Sequence, residues 1–118
     1  MGMIFVIDDD EIMAECIANA CGEAKVFSNA IEAMNEIIKG NIPKLIFLDI
    51  LLDGPDGFTF LNEMISYDDT AKIPVVVVTS LDLTGKDLSV YGVVKVLSKD
   101  EMTPKDIKAC VKYYAKWD

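Results

Sequence analysis

The sequence predicts an α/β domain in which helices cover both faces of a five-stranded parallel sheet. Short apolar runs alternate with stretches of helical periodicity about five times along the chain. The run Ile73–Thr79 contains four consecutive valines, and this lack of polar alternation is typical of a central parallel strand buried on both faces. Hydrophobic residues make up 52% of the 118 residues, which is enough to form a core. We therefore expect one domain over residues 1–118.

The first strand and first helix are predicted near the amino terminus. Met3–Ile7 is a short apolar run that ends at three acidic residues, as a buried strand does at the edge of a sheet. Glu11–Cys21 repeats apolar residues at helical spacing, and Gly22 follows as a favourable helix end. The residues of this helix expected to face the core are Ile12, Met13, Cys16, Ile17 and Ala20.

A second strand–helix unit and a third strand follow. Lys25–Phe27 is a short strand, and Ser28 or Asn29 can cap a helix that continues through Lys39. Leu45–Leu48 is a continuous apolar strand that again ends at an acid. The residues of the second helix expected to face the core are Ala30, Ile31, Met34, Ile37 and Ile38.

The middle of the chain contains a turn, a third helix and the valine-rich strand. Asp53–Gly57 combines aspartate, glycine and proline in a dense turn signal. Phe58–Tyr67 then shows helical periodicity and leads to the strand at Ile73–Thr79. The inward residues of this third helix are expected to be Phe58, Leu61, Met64 and Ile65.

The carboxyl-terminal third completes the alternation. Leu81–Tyr91 has a ragged apolar pattern with a glycine near its middle and is predicted as a short or distorted helix. Val93–Leu97 is the fifth strand, and Thr103-Pro104 combines a cap with a proline that favours the first helical turn. The last helix is expected to bury Ile107, Cys110, Val111 and Tyr114 and to expose Lys105, Lys108, Lys112 and Lys116.

The composition excludes several classes of function. The formal charge is −9, and all 11 basic residues are lysine, so the chain lacks the planar guanidinium that most often reads base edges. We expect no direct DNA binding. There is no histidine, which removes serine–histidine and cysteine–histidine catalysis.

No signal peptide or membrane-spanning run is present, so we expect a cytoplasmic protein without membrane contact. Cys16, Cys21 and Cys110 follow no metal-binding spacing and are expected to be buried, reduced thiols.

Polar, reactive residues follow four of the five predicted strands. They are Asp8-Asp9-Asp10, Asp49, Thr79-Ser80 and Ser98-Lys99. In a parallel sheet these groups share one edge, where ligands of such folds bind. Clustered carboxylates repel one another, and Mg²⁺ relieves that cost. An aspartate beside the metal can accept a phosphoryl group, whose oxygens a hydroxyl and an ammonium can then bind.

Over its full length the sequence resembles a response-regulator receiver domain of the chemotaxis-regulator type. The matching segments are Phe5–Asp10, Leu45–Ile50, Asp56-Gly57, Pro74–Ser80 and Val96–Lys99. The resemblance implies the CheY-like, flavodoxin-like fold, a three-layer αβα sandwich with strand order 2-1-3-4-5. It also implies a phosphoacceptor signalling protein that is not an enzyme. Because no second domain is apparent, we expect a stand-alone response regulator.

The resemblance assigns a role to each residue of the constellation. Asp49 accepts the phosphoryl group from a sensor histidine kinase or a histidine phosphotransfer protein. Asp8, Asp9, Asp49 and the backbone carbonyl of Leu51 hold Mg²⁺. Thr79 moves toward a phosphoryl oxygen and Lys99 pairs with another. Phosphorylation then controls a downstream protein or passes the phosphoryl group on, with phosphorylation-dependent homodimerisation as a further possibility.

Four features depart from the family pattern. Asp53 stands where a proline is usual, Val96 where an aromatic switch residue is usual, and Asp100 where a proline usually follows the lysine. The stretch between Thr79 and Lys99 is also slightly short. None of these features removes the phosphorylation chemistry. They bear on output through the face that the fourth helix and the fifth strand usually form in this family.

Two alternatives remain open from the sequence. Asp8 and Asp10 form an Asp-x-Asp after a strand, which resembles the haloacid-dehalogenase phosphohydrolases, in which the first aspartate is the nucleophile. That interpretation leaves Asp49 without a role, and phosphate on Asp8 rather than Asp49 would support it. The second alternative is a receiver-like interaction module that is never phosphorylated. Incubation with a small phosphodonor and Mg²⁺ distinguishes it from a receiver.

Overall fold

The computed structural model describes residues 3–51, 56–83 and 85–115. Within them, five parallel strands form one sheet in the order β2-β1-β3-β4-β5, as predicted. The strands are β1 (Met3–Ile7), β2 (Lys25–Phe27), β3 (Pro43–Leu48), β4 (Val75–Thr79) and β5 (Val93–Ser98). The helices are α1 (Glu11–Cys21), α2 (Ala30–Ile38), α3 (Gly57–Ile65), the short α4 (Asp68–Ala71) and α5 (Pro104–Tyr114), with a 3₁₀ turn at Ser89–Tyr91.

The sheet is buried on both faces, which confirms the three-layer architecture. Leu45 and Phe47 of β3 pack in a core with α1 and α5, whereas Ile46 and Leu48 pack in a second core with α2 and α3. Neighbouring residues of a strand project to opposite faces. A central strand must therefore be apolar at every position, which explains the unbroken apolar run in the sequence.

Side-chain caps fix where the helices begin. Asp10 accepts the backbone N–H groups of Ile12 and Met13 at the start of α1. Asn29 caps α2 and Asp56 caps α3 in the same manner. Thr103 and Asp106 cap α5 reciprocally, each side chain accepting a backbone N–H from the other residue. The predicted start of the last helix is confirmed, and Asp10 serves the first helix.

The predicted inward faces of the helices are partly wrong. Ile12, Ile31 and Ile38 are 78%, 54% and 75% exposed, and Ile65 is also exposed. Alanines take their place, because Ala14 and Ala33 allow α1 and α2 to lie close to the sheet. Cys16 is exposed, contrary to the prediction, whereas Cys110 is buried and Cys21 half-buried. All three thiols are free, and burial raises the pKa of Cys21 to about 12, so this thiol is unreactive at neutral pH.

The predicted helix over Leu81–Tyr91 is wrong except at its end. In the described parts, residues 81–83 and 85–91, the only helical element is the 3₁₀ turn Ser89–Tyr91. Gly85 adopts a φ of +81°, which ends helical geometry, and Asp87 binds the hydroxyl and N–H of Ser89. The buried Leu88 anchors this segment to the core. β5 therefore lacks a regular helix beside it on this face.

The third predicted helix, Phe58–Tyr67, is confirmed as α3, and a short helix that was not predicted follows it. α3 ends at Ile65, and the four-residue α4 follows as a separate turn. The first three residues of the predicted turn, 53–55, lie outside the described residues, as does Lys116. No helix within residues 3–51, 56–83 and 85–115 has the length and apolar character needed to cross a membrane.

Candidate functional site

Backbone hydrogen bonds carry the strand ladder one residue past the strand ends. Asp8 N–H donates to the last residue of β2 at 3.0 Å, and Asp49 N–H donates to the last residue of β1 at 3.0 Å. On the other side, Lys99 N–H donates to the carbonyl of Thr79, also at 3.0 Å. The parallel register therefore places Asp8, Asp49, Thr79 and Lys99 at one edge of the sheet, as the sequence predicts.

Three aspartates meet at this edge. One carboxylate oxygen each from Asp8, Asp9 and Asp49 lies within 4.8 Å of the other two. Asp8 and Asp49 are only 2% and 5% exposed, and Asp9 is half-buried. Taking ionised carboxylates from water is costly unless charge partners compensate. The cluster therefore needs positive charge.

Lys99 supplies one such charge. Its Nζ lies 2.9 Å from Oδ2 of Asp49 and 3.0 Å from Oδ2 of Asp8. The other oxygen of Asp49, Oδ1, accepts the backbone N–H of Leu51 at 3.1 Å. Asp49 is thus held through both oxygens, one by an ammonium and one by the backbone. This fixes the orientation of its carboxylate.

The donor set fits a divalent cation of the hard type. Lys99 is paired with Asp8 and Asp49, and the three clustered carboxylates carry more negative charge than its single ammonium offsets. Oδ2 of Asp8 is buried and accepts no hydrogen bond from a described residue, because the Lys99 ammonium and the Asp10 N–H both donate to Oδ1. Oxygen ligands of this kind suit Mg²⁺ or Mn²⁺. No observed contact fixes the direction of the Leu51 carbonyl, and its role stays a prediction.

Burial has opposite consequences for the acid and the base. Burial raises the pKa of Asp8 above its ordinary value of 3.8, although the N–H of Asp10 and the ammonium of Lys99 oppose the rise. For Lys99, burial alone would lower the pKa, but the ion pairs with Asp49 and Asp8 outweigh it and raise the pKa. At neutral pH, the ammonium therefore stays charged inside the cluster.

We expect Asp8→Asn to stabilise the metal-free protein at pH 7. A carboxyl whose folded pKa is raised contributes stability below its unfolded pKa, here about 3.8, and loses it as pH rises through the folded pKa. The neutral amide of asparagine does not ionise, so the variant does not lose this stability as the pH rises. The stability difference between Asp8→Asn and the parent should therefore shrink as pH falls toward 3.8. Chemical denaturation in a chelator at several pH values measures this. Asp56→Asn is the matched control, because asparagine caps a helix as well as aspartate does. An Asp8→Asn protein that is less stable than the parent at pH 7 would refute the argument.

Thr79 lies at the same edge but is not bound to the aspartates. It is fully buried, and its Oγ1 accepts the backbone N–H of Leu81 at 3.2 Å. Ser80 beside it is exposed. Asp10, the third acid after β1, is engaged at the start of α1 and lies outside the three-aspartate cluster. The structure thus brings Asp8, Asp9, Asp49 and Lys99 together. Thr79 lies at the same sheet edge but binds Leu81 rather than the aspartates.

Gly57 is the residue whose contribution the sequence understates. The Asp-Gly pair predicts only a turn, but Gly57 N–H donates to the Ile50 carbonyl at 2.9 Å. A Cβ at this position would lie 2.7 Å from Ile50 Cα and 2.8 Å from the carbonyl oxygen of Asp49. Only glycine allows α3 to approach the end of β3 so closely. Gly57 therefore packs directly against the backbone of Asp49 and Ile50 and helps to hold it in place.

Comparison with known proteins agrees with this geometry. Residues 4–112 match the family model of the response regulator receiver domain. The response regulator PleD of Caulobacter vibrioides is 32% identical over 85 residues, which is 70% of this chain and 19% of PleD. The chain thus spans about a fifth of that curated relative.

Solved structures share the fold over nearly the whole chain. The Mn²⁺-bound response regulator Rcp1 has a TM-score of 0.81 at 20% identity, covering 100% of this chain and 97% of that one. The phosphorylated cyanobacterial phytochrome response regulator RcpA has a TM-score of 0.78 at 22% identity, covering 96% and 93%. At these identities the likeness concerns the fold, whereas the family-model match extends over most of the sequence. The chain belongs to the response regulator receiver domain family.

Proposed function

We propose that Asp49 is the phosphoacceptor of this receiver domain and that the reaction requires Mg²⁺. The observation that carries the proposal is the buried carboxylate of Asp49, oriented by Lys99 and by the Leu51 N–H, beside two further aspartates. Asp8 and Asp9, with Asp49, would hold the metal, and the Leu51 carbonyl would complete its shell. Bound there, Mg²⁺ would offset the negative charge of an incoming phosphoryl group.

The proposed chemistry is transfer from a phosphohistidine. These 118 residues contain no histidine, so the donor lies outside them, and we propose a sensor histidine kinase or a histidine phosphotransfer protein. An oxygen of Asp49 attacks phosphorus, a new P–O bond forms, the P–N bond breaks, and the electron pair leaves with the imidazole nitrogen. Lys99 Nζ, 2.9 Å from Asp49, stands where it can pair with a phosphoryl oxygen after transfer.

Thr79 would carry the change outward. Its hydroxyl oxygen accepts the N–H of Leu81, and Leu81 begins the segment that lacks a regular helix. A phosphoryl oxygen on Asp49 offers the hydroxyl a stronger, charge-assisted partner. Movement of Thr79 toward it would release Leu81 and alter the surface that a downstream protein contacts. The domain would thus act as a phosphoacceptor that switches an interaction, not as an enzyme with a separate substrate.

The phosphohydrolase alternative is weaker. In that family the second aspartate of the Asp-x-Asp is the general acid, but here this residue, Asp10, accepts the N–H groups of Ile12 and Met13 at the start of α1. Asp49 and Lys99 would also have no role in it.

Incubation with acetyl phosphate and Mg²⁺, followed by intact-protein mass spectrometry, tests the proposal. We expect the parent protein to gain one phosphoryl group and to lose this gain when a chelator removes the metal. Asp49→Ala should gain none, and Asp56→Asn, the matched control, should react like the parent. A parent protein that stays unmodified would favour an unphosphorylated interaction module, and an Asp49→Ala protein that gains a phosphoryl group would exclude Asp49 as the acceptor.

A further inference from the structure

A small apolar groove lies between helices α2 and α3, which cover the face of the sheet opposite to α1 and α5. Its volume is about 220 Å³, and its lining includes Ile31 and Met34 of α2 and Phe60 and Glu63 of α3. Pockets that hold small-molecule ligands usually measure roughly 300 to 1,000 Å³, so this groove fits a single side chain better than such a ligand. We call it the α2–α3 groove.

Ile38, the last residue of α2, is an apolar side chain without an apolar environment. It is 75% exposed and lies outside the groove lining. Ile38 follows Ile31 by seven residues, so it lies on the same side of α2, about 10 Å further along the helix axis. Ile31, at the rim of the groove, is itself 54% exposed. One surface therefore presents both a groove for a side chain and an isoleucine that could fill such a groove.

Opposite charges accompany these two features. Lys39 follows Ile38 at the carboxyl end of α2, and Glu63 lines the groove. Both side chains are exposed, and neither forms an ion pair within the part of the chain that the structure describes. Glu36 of the same helix differs, because Lys25 and Asn41 bind its carboxylate. The isoleucine is thus next to a cation, and the groove contains an anion.

We propose that the chain forms a two-fold symmetric dimer in which Ile38 of each copy fills the α2–α3 groove of the other. A two-fold contact uses the same surface on both copies, so that surface must contain both the isoleucine and the groove, as it does here. With the two α2 helices antiparallel, Ile38 of one copy would lie beside Ile31 of the other. Lys39 would lie beside Glu63, and each contact would occur twice.

The proposed dimer is independent of the chemistry at Asp49. It involves helices on one face of the sheet and requires neither metal nor phosphoryl group, so its test can succeed or fail separately from that of the phosphoacceptor. One helix and one groove from each copy make a small interface, below the roughly 1,200 Å² of stable complexes. We therefore expect weak, reversible association.

Sedimentation equilibrium of the full chain, without Mg²⁺ or phosphodonor, tests the dimer. We expect the average mass to rise from that of a monomer toward twice that value, with a dissociation constant on the order of 0.1 mM. Ile38→Glu should weaken association by at least about tenfold, because it would place a carboxylate in an apolar groove beside Glu63. Ile12→Glu is the matched control, since Ile12 is 78% exposed on α1 and lines no part of the groove, and it should associate like the parent.

A charge exchange tests the predicted pairing of Lys39 with Glu63. Lys39→Glu and Glu63→Lys should each weaken association about fivefold, since each substitution replaces two attractive pairs with two repulsive ones. Combining both substitutions in one chain reverses each pair and should restore association. These side chains are exposed, so the variants should fold. A parent protein that stays monomeric up to about 1 mM would overturn the proposal. Equal weakening by Ile38→Glu and Ile12→Glu, or a double variant no better than the single ones, would also overturn it.

Discussion

Replacing Lys99 with methionine should destabilise the metal-free protein by about 3 kcal/mol at neutral pH. Methionine keeps most of the apolar stem but removes the ammonium that lies 2.9 Å from Asp49 and 3.0 Å from Asp8. The side chains of these two aspartates are only 6% and 1% exposed, so water cannot replace the lost charge. Removing one partner of a buried ion pair leaves the desolvation cost of the other without compensation.

The destabilisation should depend on both protons and metal. Lowering the pH protonates Asp8, whose pKa burial raises, and should reduce the difference between Lys99→Met and the parent protein. Mg²⁺ should also reduce it, because the metal restores positive charge to the cluster. Denaturant unfolding with and without Mg²⁺ measures both effects. Lys95→Met on β5 removes an exposed lysine that forms no ion pair with the residues the structure describes, and it should change stability by no more than about 0.5 kcal/mol. Equal losses for the two variants would show that the ion pairs contribute little.

Gly57→Ala should destabilise the protein by about 2 kcal/mol and disturb Asp49. The added Cβ would lie 2.7 Å from Ile50 Cα and 2.8 Å from the Asp49 carbonyl oxygen, and both obstacles are backbone. Either α3 or the end of β3 must therefore shift. Because the shift moves the residue that accepts the phosphoryl group in our proposal, phosphorylation by acetyl phosphate should also slow in the folded variant.

The sign of the stability change makes this test informative. Alanine is normally the better helix former, so a substitution without a clash would be neutral or stabilising by up to about 1 kcal/mol. Gly22→Ala is a useful comparison, because Gly22 has a φ of +87° but a Cβ added to it would have no neighbouring atom within 4 Å. Its cost should come from backbone conformation alone, roughly 1 kcal/mol, with no effect on phosphorylation. A Gly57→Ala protein as stable as the parent would show that the close approach is readily relieved.

The sheet and the aspartate cluster could be predicted because each follows from a simple periodic rule. Apolar runs buried on both faces defined the strands, and polar residues after them had to meet at one edge of a parallel sheet. Asp8, Asp49 and Lys99 meet there as expected. Lys99 Nζ lies 2.9 Å from Oδ2 of Asp49 and 3.0 Å from Oδ2 of Asp8. No local motif around Asp49 was needed for this inference.

The helix faces were harder to predict, because helix α1 is apolar on most of its circumference. Its polar residues Glu11, Glu15 and Asn19 mark the solvent side, and Ile12 lies only about 60° from their centre. Centring the buried face opposite these three residues would have excluded Ile12 and included Ala14. The small Ala14 and Ala33 were not among the residues predicted to face the core, although both are buried and let the helices lie close to the sheet.

The segment after Thr79 could not be predicted from periodicity. Its structure rests on single interactions, namely the Thr79–Leu81 and Asp87–Ser89 hydrogen bonds and the positive φ of Gly85. Such contacts leave no repeating signal in the sequence. The stretch from Thr79 to Lys99 also contains two of the four departures from the family pattern, namely Val96 and its slightly short length.

The central claim is that the phosphoryl group is carried by Asp49, and locating it tests this most directly. After reaction with acetyl phosphate and Mg²⁺, borohydride reduction converts a phosphorylated aspartate to homoserine, which peptide mass spectrometry can place in the chain. We predict homoserine at position 49 and at no other aspartate. Homoserine at position 8 or 9 instead would contradict the account and would show that an aspartate after the first strand is the nucleophile.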